Sequence, residues 1–156
     1  MLYFILYKAY RRFVLGRIIA FDIGDKRIGI AISDPFNEMA LPLETYWRKN
    51  FNMDIDYLIN IAKEKCADTI VCGLPVNFDG SESVQTTKTA SFIEELRKRT
   101  DIKVVETDER FTTLQARRVL LEADMRRDKR KNVIDKIAAS YILEDYLRKI
   151  KLQGDK

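Results

Sequence analysis

Histidine is absent from this chain of 156 residues. Its absence excludes Ser-His-Asp triads, Cys-His dyads and His-ligated zinc. Any hydrolytic chemistry must run on carboxylates, lysines or a carboxylate-bound metal. Cysteine is scarce: Cys66 and Cys72 are the two, and neither belongs to a ligand-spaced pair. Both sit in apolar stretches and are expected to be buried, reduced thiols, which suits a cytoplasmic location. No stretch reaches the roughly 18 uninterrupted apolar residues that a spanning helix needs, so no membrane association is expected. Repeats, low-complexity tracts and linkers are missing too. One domain is the expectation, and it is long enough to bury a core.

The start of the chain, MLYFILYKAYRRFVLG, is apolar first and basic afterwards, the reverse of a secretory signal. Residues 1–16 are expected to be an N-terminal extension and residues 17–151 the domain. Lys and Arg number 28 against 24 Asp and Glu, and the resulting +4 is too mild to name a partner. The placement of those charges carries more information than their sum.

Apolar periodicity divides the chain as follows. Arg17–Asp25 is a strand ending in acids and a glycine, and Arg27–Asp34 is its hairpin partner after a tight Gly24-Asp25-Lys26 turn. Ala40–Trp47 follows as a third strand. Met53–Lys65 carries a helical stripe, and Asp68–Leu74 is the continuous apolar run of a parallel strand covered on both faces. Val84–Arg99 is helical, Ile102–Glu106 a short strand, and Thr112 or Thr113 caps a helix to about Glu122. Asp124–Lys131 is expected to be a charged loop, and Asn132–Lys151 a long terminal helix. This α/β order implies a mixed five-stranded sheet: strands 1–3 antiparallel, later strands parallel, helices on both faces.

Ligands in open α/β sheets gather at the carboxyl ends of strands. Asp22 lies near the end of the first strand, and Glu109 just past the last. Each has an ordinary alternative: Asp22 as a turn cap, Asp108-Glu109-Arg110 as a solvated turn. Asp135 lies near the start of the terminal helix. Ala138 and Ile142 share its side, so it borders the buried face, where a bare acid is costly and needs a metal or a basic partner. Three oxygen ligands from distant segments select Mg²⁺ or Mn²⁺ over zinc. Two such ions can activate a water and stabilise the leaving oxygen of a phosphodiester without a histidine base.

The segments DIGDKRIGIAISD, IVCGLPVNFDG, DERFTT and KRKNVIDKIAASYIL together resemble the YqgF family, in order, from about Arg17 to Leu147. The resemblance implies a ribonuclease H-like fold and a nuclease of 16S rRNA precursor maturation, in ribosome biogenesis. Holliday junction resolvase-like proteins share the same family. It also implies that the catalytic, metal-binding acids are Asp22, Glu109 and Asp135. Residues 1–16 extend beyond the usual family start.

Arg126, Arg127, Lys129, Arg130 and Lys131 form a basic cluster leading into Asp135. With Lys26, Arg27 and Arg110 they are expected to contact nucleic-acid phosphates, supplying affinity without sequence readout. Gly24 and Gly29 permit close approach of another backbone. The expected partner is a structured rRNA precursor or, alternatively, branched DNA, bound by a monomer or homodimer. A non-catalytic nucleic-acid-binding module is the competing reading.

Overall fold

The structure is a computed structural model in which residues 1–3, 5, 6, 16–75, 81–108 and 127–154 are described. The elements are β1 (Arg17–Ile23), β2 (Arg27–Ser33), β3 (Ala40–Trp47), α1 (Phe51–Glu64), β4 (Ala67–Leu74), α2 (Val84–Arg99), β5 (Lys103–Asp108) and α3 (Arg127–Gly154). They form one five-stranded sheet in the order β3-β2-β1-β4-β5. β1 pairs antiparallel with β2, and β2 with β3. β4 runs parallel to β1, and β5 parallel to β4. The mixed sheet is therefore the one that the element order implied. The expected helix from Thr112 to Glu122 lies outside the described residues.

Both faces of the central strands are covered, which is why β1 is apolar almost throughout. Side chains alternate along a strand, so its residues divide between two layers. Ile19, Phe21 and Ile23 join Ile28, Ile30, Leu58, Phe92 and Leu96 in the core beneath α1 and α2. Ile18 and Ala20 face the other way and pack with Ala31, Val71, Ala139, Ile142 and Leu143 beneath α3. The second layer is built from small residues: Ala20 pairs with Ala31 across β1 and β2, and Ala138 and Ala139 are buried opposite them. Short side chains on both surfaces bring the helix axis close to the sheet.

Two expectations change. Cys72 is buried, but Cys66 is exposed. It occupies the turn from α1 to β4 with φ 57, and its amide donates to Lys63 O at 3.0 Å. That is the left-handed residue that ends a helix, a position outside the apolar layer. The second change concerns α3, which begins at Arg127. The segment Arg127–Lys131 is thus helical rather than a loop. Arg and Lys are good helix formers, and no Gly or Pro falls between Arg127 and Gln153, so charge does not interrupt the helix.

Candidate active site

The site is assembled at the carboxyl edge of β1, where β1 turns into β2. Gly24 makes that turn: its amide donates to Arg27 O at 3.0 Å. A Cβ at Gly24 would lie 2.8 Å from the same oxygen, so only glycine fits there without displacement. Asp22 sits one residue before the end of β1. It continues the Ile18, Ala20 alternation and therefore faces α3, half-buried.

Asp22 pairs directly with Gly29 on β2. Gly29 in turn carries the backbone of α3: a Cβ there would lie 1.9 Å from the Asp135 carbonyl oxygen and 2.3 Å from its carbonyl carbon. Helix and strand touch backbone to backbone at this point. Directly paired strand residues are about 5 Å apart. Asp135 is thus seated over the strand next to that of Asp22, on the same face of the sheet, although 113 positions separate them in the chain.

Asp135 is not bare. Arg27 Nε donates to its Oδ2 at 2.5 Å, and both side chains are about one-fifth exposed. The Arg27 guanidinium also lies 5.2 Å from the centroid of the Trp47 ring, its cross-strand partner on β3. Arg27 is therefore held between a carboxylate and an aromatic face.

No metal-sized group of three or more His, Cys, Asp or Glu side chains occurs among the described residues. Glu109, the expected third ligand, lies outside them, as do Arg110 and Arg126. The residue preceding it, Asp108, closes β5 at the same sheet edge as Ile23. The groups that are described suit a hard divalent cation. Asp22 and Asp135 offer oxygen donors on one face, and Asp135 already holds a cationic group. That bond uses Oδ2, and a carboxylate offers about four lone-pair positions over two oxygens. Lys26 is exposed at the turn, and Lys129 is exposed near the start of α3. Arg127, Arg130 and Lys131 lie in its first turns.

A second polar cluster, on the opposite face, holds the turn in place. Asp54, in the first turn of α1, is 1% exposed. It accepts from Arg48 Nε at 2.8 Å, Lys49 N at 2.9 Å and Tyr46 Oη at 3.1 Å. Arg48 also donates to Gly24 O at 2.9 Å and lies 5.0 Å from the Phe92 ring centroid. Burial and then the Asp54 carboxylate push the Tyr46 hydroxyl above its usual pKa of 10. The β1–β2 turn is thereby fastened to α1. Sequence reasoning missed this clamp, and its only local sign is an acid in the first turn of a helix. Asp54→Asn is expected to cost about 2 kcal/mol, the worth of a hydrogen bond to a charged group. Urea unfolding measures it; an unchanged midpoint would show that the clamp contributes nothing net.

The fold and its edge acids define a class. The sheet is ribonuclease H-like, and it resembles solved resolvases. The fowlpox virus resolvase, solved with a substrate Holliday junction DNA, superposes with a TM-score of 0.52 at 16% identity, over 86% of this chain and 98% of that one. RuvC of T. thermophilus, in complex with a Holliday junction substrate, gives 0.55 at 11% identity, over 85% and 95%. At such identities the likeness is one of fold. Sequence relatives are nearer. A protein of Clostridium acetobutylicum is 43% identical over 134 residues, covering 86% of this chain and 99% of that one. One of Clostridium botulinum strain Hall is 44% identical over 131 residues, covering 84% and 96%. Both bear names that assign them provisionally as pre-16S rRNA nucleases. A family model described as RuvX, Holliday junction resolvase, matches residues 16–149. The chain belongs to this RuvX family of nucleases.

Proposed function

We propose that this protein is a divalent-metal-dependent nuclease that hydrolyses phosphodiester bonds in a 16S rRNA precursor, in the cytoplasm. The observation that carries the reading is the seat of Asp135 on Gly29, beside Asp22. Asp22, Glu109 and Asp135 would hold Mg²⁺ or Mn²⁺. A bound divalent ion supplies an activated water and neutralises charge at the leaving oxygen. The chain's own residues orient the phosphate: Lys26 at the turn, and the basic first turns of α3 leading to Asp135. Among the described residues no helix is long and apolar enough to cross a membrane.

The test sets a precursor rRNA fragment beside a four-way DNA junction, with Mg²⁺ and with EDTA. Cleavage of the RNA that EDTA stops is the expected result. Undiminished cleavage in EDTA would overturn the metal reading. The family description and the two resolvase folds favour a second reading, the cutting of branched DNA. Preferential cutting of the junction by a dimer would establish it, since two symmetric cuts need two sites.

Metal binding has its own readout. Trp47 is the only tryptophan of the chain, and Arg27 links its ring to Asp135. Adding Mg²⁺ to the metal-free protein draws on the same carboxylate, so Trp47 fluorescence is expected to change in a saturable way. A flat titration would mean that Asp135 takes no metal.

A further inference from the structure

On the α1/α2 side of the same sheet edge lies an open groove of about 960 Å³, lined by Lys26, Lys49, Lys88, Phe51, Arg48 and Asp25 among others. Its lining is net positive, with the four cations Lys26, Arg48, Lys49 and Lys88 against the two acids Asp25 and Asp54. Arg48 and Asp54 neutralise each other. Asp25 is engaged by Gln85, whose amide, oriented to satisfy both groups, donates to it at 3.0 and 3.2 Å. Lys26, Lys49 and Lys88 are all exposed. The first turns of α1 and α2 both open onto the groove, adding their partial positive ends to the lysines. Phe51 is 44% exposed there and offers an aromatic surface, held edge-on by Phe92 at 5.5 Å.

Lysines flanking an exposed ring form the arrangement that binds an unpaired strand: cations track the backbone while a base stacks on the ring. The groove is on the face opposite Asp22. Ile23, the next residue, lines it, and the β1–β2 turn is the rim between the two. A single strand leaving a duplex held at the acids would have only that rim to cross to enter the groove. We infer that this groove is a second nucleic-acid site, which takes a single-stranded segment flanking the cut. The preferred substrate is then a duplex with an unpaired tail or branch. The inference rests on the nuclease reading for the cut, though not for the binding.

The experiment measures binding in EDTA, by fluorescence anisotropy of a labelled hairpin with and without a single-stranded tail, in RNA and in DNA. The wild type is expected to bind the tailed hairpin more tightly. A Lys49→Glu/Lys88→Glu variant is expected to lose that preference, with affinity for the tailed form falling at least about tenfold and its salt slope shrinking by about 1.4. Binding of the blunt hairpin is expected to change little. The control is Lys63→Glu/Lys98→Glu, which makes the same net charge change on exposed lysines near the far ends of α1 and α2. Equal losses in both double variants would reduce the effect to bulk charge and overturn the site. So would a wild type that does not distinguish tailed from blunt. Phe51→Ala is expected to weaken tail binding without altering the salt slope. A tail preference in a protein that cuts nothing would leave the groove standing and remove the nuclease reading instead.

Discussion

Asp22→Asn is expected to lower the rate of cleavage by at least about 10²–10³-fold, the cost of removing even one neutral preorganised hydrogen-bond donor from a catalytic site. Asn keeps the volume of the side chain and one of its oxygens, so the packing of β1 between its two cores survives. What is lost is a negative charge, at the one half-buried residue in a stretch that is otherwise buried from Ile18 to Ile23. Thermal unfolding is therefore expected to shift little, while cleavage and the Mg²⁺ response of Trp47 both weaken. The Trp47 titration separates the two ways in which activity can fail. A variant that no longer cuts yet binds Mg²⁺ as before would place Asp22 at the substrate rather than at the metal. Cleavage within a few-fold of wild type would move the chemistry away from this edge altogether.

Gly29→Ala is expected to be among the most destabilising single substitutions in the domain. The added methyl would sit 1.9 Å from the Asp135 carbonyl oxygen. The obstacle is backbone, which cannot rotate aside as a long side chain can. Overpacking of a close-packed core costs about 1–3 kcal/mol, and a clash with a helix backbone belongs at the upper end. About 3 kcal/mol corresponds to a fall in Tm of roughly 6–12 °C for a domain of this size. Relief of the clash requires α3 and β2 to part at Asp135. A displacement of about 1 Å in a reacting group can cost about 10²-fold in rate, so activity is expected to fall even below the melting temperature. Gly154→Ala is the matched control: nothing lies within 4 Å of a Cβ there, and no such loss is expected. Equal stability of the two alanine variants would mean that α3 does not rest on Gly29.

Much of this site was legible in the one-dimensional pattern. Asp22 stood out as an acid in an apolar strand just before a glycine turn. Asp135 stood out because Ala138 and Ile142, three and seven positions on, place it beside a packed stripe. Both are local signals, carried by the alternation of a strand and the 3.6-residue turn of a helix. Glycine at positions 24 and 29 also signalled close approach, and each meets a backbone atom in the folded chain. The start of α3 is not legible in the same way, because charge resembles loop composition, whereas helix formation depends on backbone propensity and on the packing of later turns.

The order of strands and helices, the acids worth examining and the lack of histidine chemistry were decided by sequence alone, because each depends on residue type or short-range spacing. Only the tertiary structure could decide who holds whom. The Arg27–Asp135 bond joins residues 108 positions apart, and the Arg48–Asp54 clamp reaches back to Gly24. The groove opposite the acids exists only where α1, α2 and the β1–β2 turn converge. Such pairings depend on the register of strands and the seat of a helix on a sheet. Those are set by the summed packing of the whole core, and no local period records them.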